Sequence, residues 1–313
     1  MKIWETLREA KQDLTNTVSA VTIGNFDGVH RGHQMIIRST IELARQISGQ
    51  AIVVSFSNHT DAIVSERPPL LNQPVIRQDL LSGLGVDGLL VIEFNREFAE
   101  LTPEIFFEQW LVDGLKTRAV VVGYDFKFGA AGRGDYQLLQ QLCNPKDIVH
   151  KQIAAVKEDG QIISSSMIRQ LISAGKIELA NEMLGYHYQI VGTVAHGEQR
   201  GRTLGFPTAN IQLAPQYLLP AYGVYLVEFM VGDKTFSGVA GVGVKPTFGI
   251  YAPLIEVYVL DTEQDFYNKA VKVRFLKFLR AETQFSDAPA LKKQIAADVQ
   301  RARMYLRETT VLK

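Results

Sequence analysis

An α/β domain followed by an all-β domain is the fold class that this sequence predicts, on three observations. Through roughly the first half, short Val- and Ile-rich runs alternate with stretches of helical periodicity. That is the pattern of an open sheet with helices on both faces. From about 189 to 275 apolar residues recur at every second position, with Gly, Pro and Asp between the runs. Such strands predict an antiparallel barrel or sandwich. The length of 313 residues also exceeds what one core ordinarily holds. The change of texture near Tyr186 sets the expected domains at 1–185 and 186–313.

The strands of the first domain are VSAVTI (18–23), AIVVSF (51–56), GLLVIEF (88–94) and RAVVVG (118–123). Continuous apolar runs of this length suit buried parallel strands. Over 34–47, Ile36, Leu43, Ala44 and Ile47 fall on one helical face. Thr102 as N-cap, Pro103 at the first helical position and Glu104 in the first turn open a helix over 102–112. SSSMIRQLISAG and KIELANEMLG read as two helices within 164–185, the second stopped by Gly185. In the second domain GVYLVEFMV, FSGVAGVGV, LIEVYVLD and AVKVRFLKF alternate at period two. A last amphipathic helix runs from about Ala288 to Arg307. Asp287 and Pro289 mark its start, and Leu291, Ile295, Val299, Ala302 and Leu306 form its apolar face.

Composition narrows the function. Lys+Arg and Asp+Glu both total 33, so there is no global basic field for nucleic acid or an anionic membrane. One cysteine excludes an intrachain disulfide, and six histidines without a cysteine pair disfavour a zinc cage. The charged start MKIWETLREAKQDL has no signal-peptide core, and no apolar run reaches the ~18 residues of a membrane span. A cytoplasmic protein with small-molecule partners is expected, binding neither nucleic acid nor membrane, with homo-oligomer formation left open.

Two constellations carry chemistry. GNFDGVHRGHQ (24–34) follows the first strand and opens a helix. Its His30 and His33 could bind a metal, act as a base or hold phosphates. If the helix begins near Val29, both lie on its first turn, among free N–H groups and the positive end of the dipole, which favours an anion. A metal pair on a helix more often has i, i+4 spacing and a third ligand. Gly24 and Gly28, with Asn25, Phe26 and Asp27 between them, allow close approach of a phosphate. Further on, Ser164, Ser165 and Ser166 open a helix that carries Arg169 one turn in. Hydroxyls, helix N–H groups and a guanidinium suit a triphosphate, although a serine-capped helix with a solvated Arg has the same pattern.

The second constellation is GTVAHGEQRGRTLGFPTANI (192–211), a glycine-rich stretch ending in PTAN. No GxxxxGK[ST] loop occurs, so a kinase would need another phosphate cradle, and exposed N–H groups of a glycine-rich loop can form one. Thr208 and Asn210 alternate onto one face and offer hard oxygen ligands for Mg²⁺. Glu256 in LIEVYVLD shares a face with Leu254, Tyr258 and Leu260. It is either a general base for a substrate hydroxyl or an edge-strand carboxylate.

These segments together resemble the bacterial bifunctional riboflavin kinase/FAD synthetase family. GNFDGVHRGH resembles its HxGH phosphate motif, ISSSMIR its ISSTxIR and VGYDFKFGAAGRGD its VGxDFxFG segment. Gly192–Asn210 resembles GxVxHGxxxGRxLGFPTAN, Glu256–Asp261 the strand ExHLLD, and FLRAETQF the motif FLRxExxF. The resemblance implies a Rossmann-like nucleotidyltransferase domain, then a six-stranded antiparallel barrel with a C-terminal helix. It implies phosphorylation of riboflavin to FMN by ATP, then adenylylation of FMN to FAD with release of pyrophosphate. It assigns His30, His33 and Arg169 to adenylylation, and Glu256 to activation of the riboflavin 5′-hydroxyl. Gly197, Gly201, Arg202, Gly205, Pro207 and Thr208 would meet ATP, and Thr208 and Asn210 would hold Mg²⁺. His59, Asp125, Phe126, Phe128, Arg280 and Glu282 would lie near flavin. Three segments depart from the pattern. SFSNHT (55–60) stands for TFEPHP and loses both prolines, so the loop is less pre-organised. The alternative it raises is a riboflavin kinase with a weakened adenylyltransferase domain. GVGVKPTF stands for NxGxRPTF, placing Gly241 for Asn and Lys245 for Arg, and Tyr258 stands for a common His.

Overall fold

The computed structural model describes residues 1–57, 68–196, 205–213, 216–247 and 250–311. Packing divides the chain into two compact units, Met1–Pro68 with Arg77–Ser164, and Pro69–Ile76 with Ser165–Lys313. This division falls at Ser164/Ser165, ahead of the change of texture near Tyr186.

The first unit is built on a six-stranded parallel sheet. Its strands are β1 (Lys2–Trp4), β2 (Ser19–Ile23), β3 (Gln50–Phe56), β4 (Gly88–Ile92), β5 (Thr117–Gly123) and β6 (Val149–Ile153), in the order β1-β4-β3-β2-β5-β6. Alternation along each strand feeds two cores. Val21, Ile23 and Val54 join Phe106, Phe107 and Leu111 on one face. Ala20 and Val53 join Ile37, Ile41 and Leu81 on the other. The helices are α1 (Leu7–Asp13), α2 (Arg31–Gln46), α3 (Pro74–Leu84), α4 (Arg96–Ala99), α5 (Pro103–Ile105) and α6 (Tyr136–Cys143). Thr102 caps α5 as expected, accepting from the Ile105 N–H, and the chain continues as a wide π-turn over Phe106–Gly114. Two strands were not legible as apolar runs. Edge strand β6 reads VHKQI and is largely exposed, and β1 has three residues.

The second unit contains α7 (Ser165–Ser173), α8 (Ile177–Leu184) and a closed barrel. A short hairpin in the first unit, β7 (Lys157–Glu158) with β8 (Gln161–Ile162), precedes it. The barrel strands are β9 (Gln189–Ala195), β10 (Thr208–Gln212), β11 (Gly223–Val231), β12 (Lys234–Thr247), β13 (Ile250–Val259) and β14 (Ala270–Ala281), ordered β10-β13-β12-β11-β14-β9. Every neighbouring pair is antiparallel. Tyr225, Val227, Phe229, Ile255, Val257 and Phe275 fill the barrel and are buried. The terminal helix α9 (Ala288–Val311), capped by Asp287, lies outside and packs Ala302 and Val299 onto Leu226, Val239 and Leu279. Asn181 of α8 ties that helix to the barrel, donating to the Phe275 carbonyl and accepting from the Tyr188 N–H.

Candidate functional sites

In the first unit the helix α2 begins at Arg31, not Val29, and His30 is its N-cap. The His30 Nδ1 accepts from the His33 N–H at 3.3 Å, so the proton of the neutral ring belongs on Nε2. The two imidazoles stack, with centroids 3.6 Å apart and planes at 17°. Burial lowers the His30 pKa to about 4, and burial with the neighbouring His30 holds His33 well below its ordinary value. Both rings are therefore neutral at pH 7. The Nδ1 of His33 is buried with no hydrogen-bond partner among the described residues. A buried ring nitrogen without a partner suits a group that arrives with a ligand. Phe26, Gly28 and Val29 all have positive φ, at 45°, 87° and 36°. For the β-branched Val29 this is a strained conformation, costing roughly 1–3 kcal/mol.

Beside this turn lies a cavity of about 350 Å³. Gly24 and Asn25 of the turn form one wall, and Phe56, Phe94, Phe98, Phe106, Phe126 and Phe128 make up half of the remaining lining residues. Phe126 and Phe128 run parallel, 5.4 Å apart at 14°. Small-molecule sites span about 300–1,000 Å³, and aromatic walls suit a flat conjugated ring. Phe126 and Phe128 were expected at a flavin; Phe56, Phe94, Phe98 and Phe106 were not. The only signal was for Phe56 and Phe94, at and just past the carboxyl ends of β3 and β4, where open α/β sheets bind ligands; Phe98 on α4 and Phe106 at the start of the π-turn left none. Asp125 is exposed and is not among the lining residues. Asp27 is buried. His59 lies outside the described residues, as do Asn58 and Thr60 of SFSNHT.

Ser164 ends the first unit, whereas Ser165, Ser166 and Arg169 open α7 in the second. Arg169 donates from Nε to the Pro69 carbonyl at 2.9 Å.

In the barrel, register assembles a row that the sequence cannot show. Asn210 pairs with Glu256, Glu256 with Gly241, Gly241 with Val224, and Val224 with Arg280. Residues facing one another in antiparallel strands point to the same side. Val224 packs with the cluster under α9, so the row lies on the outer face of the barrel. Glu256 is half-buried there, flanked by half-buried Leu254 and Tyr258, while Leu260 is buried. Thr208, opposite Tyr258, shares this face. Asn210 is buried and its Oδ1 has no hydrogen-bond partner among the described residues. An orphaned amide oxygen next to a threonine hydroxyl and a carboxylate suits a hard divalent cation, so these residues fit Mg²⁺. At Gly241 an added Cβ would meet only the Glu256 carbonyl, at 4.0 Å, and at Gly243 it would reach the Glu282 carboxylate, at 3.2 Å. Glycine at 241 thus leaves the space beside Glu256 open among the described residues, and glycine at 243 makes room for the Glu282 carboxylate. Arg280 is engaged by its own neighbours. It forms a forked ion pair with buried Asp298 of α9, at 2.8–3.0 Å, and donates to the Ala281 carbonyl. Gly205, with φ 86°, and Pro207 are described; Gly197, Gly201 and Arg202 lie outside the described residues. So does Phe248, and the Lys245 side chain is likewise not described.

Comparison with known proteins adds to this geometry. Residues 12–167 match the FAD synthetase family model and residues 184–306 the riboflavin kinase model. The chain is 37% identical to a bifunctional riboflavin kinase/FMN adenylyltransferase of Listeria monocytogenes, over 93% of each. It is 36% identical to the protein of that description from Escherichia coli K12, over 91% of this chain and 92% of the relative. Among solved structures it is similar to one described as a macrolide-efflux protein from Streptococcus pneumoniae. The TM-score is 0.84 at 30% identity, covering 92% of this chain and 96% of the other. Among the described residues no helix is long and apolar enough to cross a membrane.

Proposed function

Because this chain belongs to the family of bifunctional riboflavin kinase/FMN adenylyltransferases, we infer that each constellation serves one of two successive ATP-dependent reactions. The chain phosphorylates riboflavin to FMN and adenylylates FMN to FAD. In the first reaction the riboflavin 5′-oxygen attacks the γ-phosphorus of ATP, and ADP leaves. Glu256 takes the hydroxyl proton. Asn210 and Thr208 would hold Mg²⁺, which when bound neutralises charge on the ATP phosphates. Glu282, whose carboxylate packs against Gly243, is assigned to the flavin on the motif. Gly197, Gly201, Arg202, Gly205 and Pro207 are assigned to ATP on the motif alone.

In the second reaction an oxygen of the FMN phosphate attacks the α-phosphorus of ATP, and pyrophosphate leaves with the electrons of the broken P–O bond. His30, as a neutral Nε2–H donor, and His33 stabilise charge on the phosphates, with the backbone of residues 24–28 beside them. Arg169 and Ser164–Ser166 are assigned to the ATP phosphates on the motif alone. The flavin ring occupies the aromatic cavity. The observation that carries this reading is that the turn bearing the stacked histidines also forms a wall of that cavity. We place the functional boundary at Tyr186, supported by matched stretches ending at 167 and starting at 184. The single cysteine, which allows no intrachain disulfide, supports a cytoplasmic protein. Purified chain given FMN, ATP and Mg²⁺ will accumulate FAD and release equal pyrophosphate. The double variant His30→Ala/His33→Ala will lower this by about 100-fold or more while FMN formation continues. Wild-type turnover no greater than that of the double variant would leave a riboflavin kinase alone, the outcome to which SFSNHT points.

A further inference from the structure

The left-handed residues of the GNFDGVH turn need support from outside it. Within the turn, the Val29 N–H donates to the Phe26 carbonyl at 3.2 Å. The Gln34 side chain donates to the Val29 carbonyl at 2.9 Å. The Asn25 carbonyl accepts from Ser55 Oγ at 3.1 Å and from one guanidinium nitrogen of Arg77 at 3.2 Å. The other terminal nitrogen of Arg77 donates to the Phe56 carbonyl at 3.0 Å. One planar fork thus bridges the loop after β2 and the end of β3. Asn25 and Phe56 both line the aromatic cavity. Arg77 lies on α3, outside every motif in the sequence.

We propose that Arg77 is a positioning residue for adenylyl transfer: its guanidinium fixes the backbone of the histidine turn against the flavin cavity. A lysine cannot reproduce it, because one ammonium on a flexible stem does not hold two carbonyls in one plane. Positioning of this kind acts on the chemical step, where a displacement of about 1 Å costs about 100-fold. The inference rests on the reading of the His30–His33 turn as the adenylylation site.

The test uses the full chain with Arg77→Lys, Arg77→Met and Arg77→Ala. FAD formation is measured as separate kcat and KM for FMN, with FMN formation from riboflavin as the internal control of folding. The expected result is a fall in kcat for FAD of about 10- to 100-fold in all three variants. KM for FMN and the rate of FMN formation should stay within about twofold, and added guanidinium ion should restore part of the kcat of Arg77→Ala. Arg77→Met with wild-type kcat would overturn the proposal. So would equal loss of both activities without rescue, since that is destabilisation alone. If the His30→Ala/His33→Ala variant kept full FAD formation, the site reading itself would fail, whatever Arg77 did.

Discussion

A histidine ring shut away from water binds a proton weakly, and here that happens to two rings in contact. Burial lowers the His30 pKa to about 4, and His33 also titrates well below the ordinary value of 6.5. In the free protein, followed by two-dimensional NMR, neither ring should titrate between pH 8 and 5.5. A midpoint near 6.5 for His30 would contradict the burial. The unfolded chain takes up protons near pH 6.5 and the folded chain resists until about pH 4, so stability is full above 6.5 and declines as pH falls toward 4. Glu256→Gln removes the proton acceptor and should lower FMN formation by about 100- to 10,000-fold, with adenylylation of supplied FMN unchanged. Unchanged FMN formation would remove Glu256 from the base role. The residue types at these sites were legible because glycine, histidine and PTAN clusters are rare in a core. Arg77 was not legible: its role is to donate to two backbone carbonyls, and a carbonyl leaves no trace in sequence.

Elements were legible where their chemistry is local. The cap at Thr102, the stop at Gly185 with φ 76° and the cap at Asp287 all depend on residues a few positions apart. Edge strand β6 was missed because VHKQI is half polar and reaches the sheet only by parallel pairing with β5. Helix α9 was legible from its apolar stripe, but its attachment was not. Arg280 and buried Asp298 lie eighteen positions apart and meet only when α9 folds back on β14. Asp298→Asn removes the carboxylate that holds the half-buried Arg280 guanidinium and should destabilise the barrel unit by about 1–3 kcal/mol. The check is thermal inactivation: riboflavin phosphorylation should be lost at lower temperature than in the wild type, and adenylylation should not shift.

At the scale of the whole molecule, the barrel unit includes a segment far from it in sequence. Residues Pro69–Ile76 belong to that unit. Leu70 pairs with the backbone on both sides of Tyr217. The Gln73 amide makes a reciprocal pair with the backbone of Val191, at 2.5 and 2.6 Å, taking the place of a neighbouring strand. Each such bond contributes about 1 kcal/mol, more where its loss strands a buried group. A fragment of residues 165–313 should therefore lose riboflavin phosphorylation at a lower temperature than the full chain. A peptide of residues 69–76 should restore part of the difference, and equal midpoints would show that the segment adds nothing.

Composition, periodicity and motif spacing determined by themselves that the chain has an α/β and an all-β part, and which residue types bring phosphates and a proton acceptor together. They suffice because burial, capping and phosphate binding act through near neighbours and leave a regular pattern. Tertiary structure alone decided that Glu256, Asn210 and Gly241 stand in one row on the outside of the barrel. It alone decided that phenylalanines from separate strands, helices and loops close one cavity, and that Arg77 donates to the carbonyls of Asn25 and Phe56. Those facts depend on strand register and on which segments return to the same place, and neither quantity is carried by any single stretch of sequence.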